Sequence, residues 1–235
     1  IEPSSDERYD DYTEKYYKLT NRAGNTMSEA RYNMRQGNIF GNMMLREGAV
    51  DGLICGVDRY YPSMIRPILK TIGLREGLSS PAGLYLVSVD NRLLFFSDTT
   101  VNVQMDSEKL SNIAIMTAEF AKSMNVEPRI AMLSYSNFGS VRHKDSAMVR
   151  EATNLVKQKA PYLKVDGEMQ ADTALVADIL QENYPFSDLD EPANVMIFPD
   201  MQSGNICYKM LQRLSGAQVV GPIILGLNKP AYVLQ

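Results

Sequence analysis

The chain has 235 residues, a formal net charge of −4 at pH 7, 45% hydrophobic residues and 22% charged residues. This composition is typical of a globular protein with one or two buried cores, and it excludes a disordered chain. The acidic balance, without any basic run interleaved with aromatic residues, argues against nucleic acid or an anionic membrane surface as the main partner. No stretch of the sequence is apolar for long enough to predict a membrane-spanning helix.

Cysteine and histidine usage bounds the chemistry and the compartment. The chain has two cysteines, Cys55 and Cys207, in separate apolar contexts, and a single histidine, His143. These residues are too few for a zinc site built from Cys and His, and two isolated thiols are typical of a reducing compartment, so we expect a cytoplasmic protein without a metal site. The sequence begins at Ile1 with no signal-peptide pattern, so we expect a piece of a longer protein, truncated at both ends.

Residues 1–48 are predicted to form a helical N-terminal region. Tyrosines and a leucine recur at helical spacing over residues 6–19, and the polar segment 21–25 ends that helix. A second helix should begin at Ser28, and a third should span residues 38–45 with methionines on its inner face. Stripes of tyrosine and methionine at helical spacing are more often core residues than cofactor ligands, so we predict that these side chains pack in the interior.

Residues 49–235 show alternating strand and helix patterns and form the second predicted region. The predicted strands are residues 52–56, 84–89, 93–97, 129–133, 163–168, 194–198 and 222–226. The predicted helices are residues 61–70, 107–124, 145–159, 171–181 and 206–215. Asp90 and Asn91 lie between the second and third strands, where they predict an antiparallel hairpin, and Ser107 is the predicted N-cap of the longest helix.

Strand–helix units combined with one hairpin predict an α/β fold, with three layers built around a mixed sheet. Polar clusters follow or end three of the strands, at residues 134–140, 166–170 and 200–205. If these strands are parallel, their carboxyl ends meet at one edge of the sheet, which is where open α/β sheets bind ligands. The second region is therefore predicted to contain a ligand cleft.

The most informative cluster is the loop Leu133-Ser-Tyr-Ser-Asn-Phe-Gly-Ser140, which lies between a predicted strand and a predicted helix. The hydroxyl groups of Ser136 and Ser140 and the backbone N–H groups around Gly139 could donate hydrogen bonds to an anion. Ser, Asn and Gly are also ordinary turn and cap residues, so a well-capped loop without a ligand is the alternative interpretation.

Outside that loop, the sequence offers few candidates for chemistry. Arg66 could anchor an anion or form a surface ion pair, and His143 is more often a surface residue than a catalytic one when no partner is evident. The chain has neither Gly-x-x-x-x-Gly-Lys-Ser/Thr nor Gly-x-Gly-x-x-Gly, so neither a P-loop nor a dinucleotide fingerprint is present. A dehydrogenase is therefore the least supported of the functions considered.

Four motifs together resemble the phosphate acetyl/butyryl-transferase family. They are Leu133-Ser-Tyr-Ser-Asn-Phe-Gly-Ser140, Asp166-Gly-Glu-Met-Gln-Ala-Asp172, Ile197-Phe-Pro-Asp-Met-Gln-Ser-Gly-Asn205 and Gly221-Pro-Ile-Ile-Leu-Gly-Leu-Asn-Lys-Pro230. The resemblance runs in order from about Tyr17, and it implies a reaction in which CoA thiolate attacks acetyl phosphate to give acetyl-CoA and phosphate. It also implies a fold related to isocitrate and isopropylmalate dehydrogenases, with two subdomains around a cleft, and a homodimer.

The chain departs from the active members of that family at the positions expected to carry charge. Active members have Ser-Thr-Lys-Gly-Ser where this chain has Ser136-Asn-Phe-Gly-Ser140, so Phe138 replaces a cation. Thr20 stands where active members have a phosphate-binding arginine, whereas Arg66 keeps another. The family's Ser-Arg-Gly segment, followed by its aspartate base, would begin at Gln235, where the sequence ends. The resemblance therefore implies that this chain is inactive as a transferase and has no catalytic residue.

The loop at 136–140 and the final segment, Leu227-Asn-Lys-Pro-Ala-Tyr-Val-Leu-Gln235, look most like the C-terminal domain of large NADP-dependent malic enzymes. In those proteins a transferase-like domain, which usually lacks transferase activity, is fused to a malic-enzyme domain and senses acetyl-CoA. The resemblance implies a regulatory acyl-CoA-binding domain without a cofactor of its own. Its parent would decarboxylate malate to pyruvate with NADP and a divalent metal. An active phosphate acetyltransferase is the alternative.

The ligand implied by the resemblance is acetyl-CoA, a related acyl-CoA or a phosphate-like anion. The residues expected to line its cleft are Arg66, Ser136, Asn137, Gly139, Ser140 and Asn205. The implied protein partners are a second copy of this chain and the malic-enzyme domain of the parent.

Overall fold

The computed structural model describes residues 1–56 and 59–234. Its helices are α1 (Tyr9–Thr20), α2 (Met27–Met34), α3 (Gly37–Glu47), α4 (Tyr61–Thr71), α5 (Ser107–Ser123), α6 (Lys144–Lys159), α7 (Ala171–Leu175), α8 (Ala177–Asn183) and α9 (Met201–Leu214). Its strands are β1 (Leu53–Gly56), β2 (Ala82–Val89), β3 (Arg92–Ser97), β4 (Arg129–Leu133), β5 (Lys164–Met169), β6 (Val195–Ile197), β7 (Gln218–Leu225) and β8 (Ala231–Leu234).

The chain divides into two compact units, which are residues 1–77 with the residues from Leu227 onward, and residues 78–226. The change of pattern at residue 49 predicts a boundary there, whereas the first unit continues through β1 and α4. Strand β8 pairs in parallel with β1, from Leu53 opposite Ala231 to Gly56 opposite Leu234. This pairing joins the C-terminal residues to the first unit, and a local sequence pattern carries no signal for it.

Helices α1 to α3 share a core of the tyrosines and methionines that the helical spacing placed inside. The buried members of this core are Tyr12, Tyr16, Ala30, Met34, Ile39, Phe40 and Met43. The break predicted after α1 is a short 3₁₀ helix, Asn21–Ala23, that ends at Gly24 with a φ of 91°. A capping box then starts α2, because the Thr26 side chain accepts from the Glu29 N–H while the Glu29 carboxylate accepts from the Thr26 N–H. The prediction that these stripes are packing residues is confirmed.

The second unit is built on a six-stranded mixed sheet with the strand order β5-β4-β6-β3-β2-β7. Strand β2 runs antiparallel to both of its neighbours, whereas β5, β4, β6 and β3 are parallel to one another. The predicted hairpin joins β2 to β3, and Asp90 and Asn91 at its tip have φ values of 48° and 59°. Asp and Asn tolerate this left-handed conformation, which a tight two-residue hairpin loop requires.

Alternate residues of each strand face opposite sides of this sheet, and each side is covered by helices. Ile130 and Met132 of β4 pack in the core that includes residues of α5 and α6. Ala131 and Leu133 pack in the core that includes residues of α7, α8 and α9. Because both faces of the sheet are covered in this way, the predicted three-layer α/β arrangement is confirmed.

The start of α9 differs from the prediction, which placed residues 200–205 in a loop. The helix begins at Met201, and Asp200 is its N-cap, with the side chain accepting from the Ser203 N–H at 2.8 Å. Gly204 weakened the helical pattern here, yet a Cβ at Gly204 would lie 2.7 Å from the Asp98 carbonyl oxygen. The glycine therefore serves close packing within the helix, and the polar residues 201–205 belong to its first turns.

Three smaller predictions are also wrong. The N-cap of α5 is Asp106 rather than Ser107, because the Asp106 carboxylate accepts from the Lys109 N–H at 2.8 Å. The single helix predicted over 171–181 is interrupted at Val176, which has extended dihedral angles between α7 and α8. The strand predicted at 222–226 begins earlier, as β7, and it is followed by β8.

Across the described ranges, no helix has the length and apolar character needed to cross a membrane.

Candidate functional site

The carboxyl ends of β5, β4 and β6 meet at one edge of the sheet, as the sequence predicted for parallel strands. These three strands are adjacent and parallel. The loop after β4 is tied to the end of β5 by a hydrogen bond from the Ser134 N–H to the Met169 carbonyl at 2.8 Å. Two of the three polar clusters are therefore in direct contact, and the third follows β6 at the same edge.

A buried carboxylate, that of Glu168 in β5, is the centre of this edge. Its side chain has no exposed surface. Its Oε1 accepts hydrogen bonds from the Ser136 hydroxyl at 2.9 Å and from the Gly139 N–H at 2.8 Å. Arg150 of α6 donates to both oxygens at 2.9 Å, from Nε to Oε2 and from Nη2 to Oε1. The carboxylate thus holds the loop, the strand and the helix together.

Two opposing effects set the pKa of Glu168. Burial disfavours the charged carboxylate and acts to raise the pKa, whereas the hydrogen bonds from Arg150, Gly139 and Ser136 act to lower it. The hydrogen bonds prevail, and the pKa lies below its usual value. Glu168 is consequently ionised at neutral pH, and it is an acceptor rather than a proton donor to a ligand.

The loop's own hydrogen bonds fix the positions of the remaining predicted residues. The Asn137 amide pairs with Gln170, donating to its Oε1 at 3.0 Å and accepting from its N–H at 2.7 Å. The Ser140 hydroxyl accepts from the Asn137 N–H at 3.0 Å and lies 3.3 Å from the Ser136 Oγ. Ser136 is buried, whereas Ser140 is exposed. Of these two serine hydroxyls, that of Ser140 is the more accessible to a ligand.

Phe138 occupies the tip of the loop in an unusual conformation. Its φ is 46°, in the left-handed region that a bulky residue rarely adopts. Its N–H donates to the Glu168 carbonyl at 2.8 Å, which holds the backbone in place. The ring lies 5.0 Å from that of Tyr184 and 5.0 Å from that of Phe186, measured between centroids. The position at which active family members are expected to carry a cation is thus part of an aromatic cluster.

Three further residues singled out from the sequence have other local roles. Asn205 lies on α9, and its amide donates to the Thr99 carbonyl at 3.1 Å. His143 is the N-cap of α6, with Nδ1 accepting from the Asp145 N–H at 3.3 Å. Arg66 lies on α4 in the first unit, with an exposed side chain. The structure brings Ser136, Asn137, Gly139 and Ser140 together in one loop. The placement of all six named residues around one ligand cleft stays a prediction.

Sequence reasoning missed two residues of this arrangement, Glu168 as its centre and Arg150 as its ion-pair partner. Residues 166–168 stood out only as a polar strand end, and Arg150 appeared as one charge on a helix face. The two residues are 18 positions apart, and only the packing of α6 against β5 brings them together. The available signal was the presence of two acids, Asp166 and Glu168, in one predicted strand, because an acid needs a partner when it is buried.

A groove of about 870 Å³ lies in the first unit. It runs beside β1, and its lining includes Arg35, Asn38, Ile54 and Arg59. Throughout the part of the chain that the structure describes, no group of three or more His, Cys, Asp or Glu residues could hold a metal ion.

Comparison with known proteins relates this site to a family. The model of the family described as phosphate acetyl/butaryl transferase matches residues 1–235. A phosphate acetyltransferase of Thermoanaerobacterium thermosaccharolyticum is 36% identical over 237 residues, covering 98% of this chain and 72% of that protein. An NADP-dependent malic enzyme of Escherichia coli is 34% identical over 236 residues, covering 100% of this chain and 31% of that enzyme.

A solved structure agrees with these sequence matches. The EutD phosphotransacetylase from Staphylococcus aureus superposes with a TM-score of 0.92 at 33% identity, covering 100% of this chain and 72% of that one. Other relatives are much longer than this chain, which spans 33% of a phosphate acetyltransferase of Nitratidesulfovibrio vulgaris at 36% identity. Transferases and malic enzymes match at similar identity, so identity alone does not separate the two functions. The predicted resemblance and the phosphotransacetylase-like fold are both confirmed, and the chain belongs to the phosphate acetyl/butyryl transferase family.

Proposed function

We propose that this chain is the phosphotransacetylase-like regulatory domain of an NADP-dependent malic enzyme and binds acetyl-CoA or a related acyl-CoA as an effector. The parent enzyme would convert malate to pyruvate by oxidative decarboxylation, with NADP and a divalent metal held outside this chain. The observation that carries the proposal is the state of the loop at residues 136–140. Phe138 stands where the resemblance implies a cation in active members, and the loop's inner donors, the Ser136 hydroxyl and the Gly139 N–H, are bound to Glu168.

This state matters because acetyl transfer needs hydrogen-bond donors and cations aimed at charge that develops during the reaction. The Ser136 hydroxyl and the Gly139 N–H point inward, to the Glu168 carboxylate. Arg150, the adjacent cation, has two of its nitrogens on the same carboxylate. Few donors of the loop therefore remain for a transferring group, whereas the body of CoA can still bind through contacts remote from the acyl carbon.

An active phosphate acetyltransferase is the alternative function. The observation that favours it is the 36% identity to the phosphate acetyltransferase of T. thermosaccharolyticum, of which this chain covers 72%. The two functions differ in whether the chain converts acetyl phosphate and CoA to acetyl-CoA and phosphate, which an assay of thioester formation measures.

We expect calorimetry to detect heat when acetyl-CoA is titrated into this chain. Replacing Ser140 with alanine should weaken binding about 2- to 10-fold, the usual effect of losing one hydrogen bond. Ser123→Ala is a matched control, because Ser123 is an exposed serine whose hydroxyl bonds only the nearby Phe120 carbonyl, at 2.7 Å. Absence of heat with both acetyl-CoA and acetyl phosphate at millimolar concentration would contradict the proposal.

We further propose a homodimer in which α9 contributes to the interface. Three apolar residues recur at every fourth position of α9 and are largely exposed: Ile206 at 58%, Met210 at 54% and Leu214 at 80%. Such an apolar stripe on one helix face favours a protein contact. Sedimentation should therefore show a dimer at micromolar concentration, and Met210→Lys should shift it toward monomer. Met124→Lys, at a residue 40% exposed on another helix end, should not. A monomeric wild-type chain would count against the dimer.

A further inference from the structure

An aromatic platform extends from the tip of the ligand loop, and the proposed function assigns no ligand contact to it. It consists of Phe138, Tyr184 and Phe186. Phe186 meets Phe138 edge-on at 5.0 Å and Tyr184 edge-on at 6.1 Å, measured between ring centroids. Despite these contacts, Phe186 is 67% exposed. Phe186 therefore contacts two other rings and still presents most of its apolar surface to solvent.

Both segments that carry the platform are held in place. The left-handed backbone of Phe138 is fixed by its own N–H, which donates to the Glu168 carbonyl at 2.8 Å. A non-glycine residue in this conformation costs about 1 kcal/mol or more, and such strain is often found at ligand-binding sites. On the other side, the Ser187 N–H donates to the Tyr184 carbonyl at 2.9 Å, and the Ser187 hydroxyl donates to Asp166 at 2.8 Å. The rings are therefore preorganised.

Two exposed cations follow the ligand loop in sequence. Arg142 and Lys144 follow the loop within six residues of Phe138; both are exposed, and no ion pair is found for either among the described residues. The nearest acid along the chain from Phe186, Asp188, is neutralised by Lys157 at 2.7 Å. Proteins that bind nucleotides combine an exposed aromatic face, on which the base stacks, with cations that bind the phosphates.

We infer that Phe186, backed by Phe138 and Tyr184, stacks the adenine ring of the bound acyl-CoA while Arg142 and Lys144 receive its phosphate groups. This inference rests on the proposed function, and it assigns the nucleotide end of the ligand to a surface in which Phe138 occupies one of the family's charged loop positions. Replacing Phe186 with alanine should weaken binding of acetyl-CoA roughly tenfold, the usual scale for one base–aromatic stack. Binding of acetyl-phosphopantetheine, which lacks the base, should stay unchanged.

A fluorescence experiment tests the stack directly, because the chain contains no tryptophan. Phe186→Trp places a single reporter on the platform and keeps an aromatic face there. Its emission should be quenched by acetyl-CoA and by adenosine 3′,5′-bisphosphate, and not by acetyl-phosphopantetheine. Tyr162→Trp is the matched control, since Tyr162 is another exposed aromatic residue, 64% accessible, and its emission should not change.

The two proposals fail in distinguishable ways. If calorimetry shows that acetyl-CoA binds and the tryptophan at 186 does not respond, the platform inference is overturned and the proposed function stands. If the wild-type chain binds no acetyl-CoA, the proposed function fails. The platform inference is then tested by the response of the Phe186→Trp fluorescence to adenosine 3′,5′-bisphosphate. Quenching by that nucleotide would then support a nucleotide platform, and an unchanged signal would overturn it. Equal weakening of acetyl-CoA and acetyl-phosphopantetheine by Phe186→Ala would also overturn it.

Discussion

Replacing Glu168 with glutamine should lower the free energy of unfolding of this chain by about 3 kcal/mol. The buried carboxylate accepts from the Ser136 hydroxyl, the Gly139 N–H and two nitrogens of Arg150. Glutamine retains one oxygen acceptor but turns an NH₂ group toward those donors, so at least one buried N–H or O–H loses its partner. Arg150 is 45% exposed and can turn to water, which keeps the cost below that of a fully buried ion pair.

Urea denaturation at pH 7 measures this difference, and a surface ion pair provides the control. Asp190 pairs with Lys164 at 2.8 Å, and its side chain is 65% exposed. Asp190→Asn should therefore change stability by less than about 0.5 kcal/mol. A loss below about 1 kcal/mol for Glu168→Gln would mean that the carboxylate does not hold the loop.

The ion pair of Glu168 with Arg150 also predicts how the free energy of unfolding depends on pH. Because the pKa of Glu168 is lower in the folded chain than its usual value of 4.5, its stabilising contribution is fully present above that value. It is lost as pH falls below 4.5 toward the folded pKa, where the folded carboxylate also takes up a proton. The wild-type chain should therefore lose stability in this acidic range more steeply than Glu168→Gln. Parallel curves for the two proteins would contradict the assignment.

Much of the fold could be predicted from the sequence because the determining signals are local. The apolar run at 129–133 has turn residues after it and a helical period beyond, and it forms the buried strand β4. Asp90 and Asn91 predicted the hairpin, since few other residues accept its positive φ values. Once neighbouring strands are parallel, the meeting of their carboxyl ends follows from geometry.

The misplaced features depend on contacts between distant residues. Strand β1 pairs with β8, so that Leu53 lies opposite Ala231 near the other end of the chain. Nothing in the sequence of either strand indicates its partner. Helix α9 starts early because Asp200 caps it, and Gly204 in its first turns lies against the backbone of Asp98, more than 100 positions earlier. From the sequence alone, a glycine at this position indicates only a weaker helix.

The candidate site was predicted in position but not in its internal organisation. The hydroxyls and the glycine of the loop at 136–140 indicated an anion site because these groups can donate outward. In the folded chain, Ser136 and Gly139 donate to Glu168 instead. Sequence shows which groups can donate a hydrogen bond, whereas the direction of each donor depends on the acceptor that the fold places nearby.

With acetyl phosphate and CoA as substrates, this chain should form acetyl-CoA at least about 10,000-fold more slowly than an active transferase. The phosphate acetyltransferase of T. thermosaccharolyticum is a suitable reference in a parallel assay of thioester formation. Loss of one well-aimed donor typically costs about 100- to 1,000-fold in rate. Two positions that the family resemblance assigns to cations are uncharged here. Phe138 packs against other rings, and Thr20 is buried, with its hydroxyl donating to the Tyr16 carbonyl at 2.8 Å.

Restoring a single cation should not recover activity, and this separates the regulatory proposal from a weakened enzyme. Phe138→Lys returns a charge to the loop tip, but Thr20 remains neutral, and Ser136 and Gly139 remain bonded to Glu168. The effects of groups that act together are not additive, so one restored donor recovers little of the rate. Urea denaturation of the same samples shows that the variant is folded. Turnover by the wild-type chain at the reference rate, abolished by Ser140→Ala, would instead establish an active phosphate acetyltransferase.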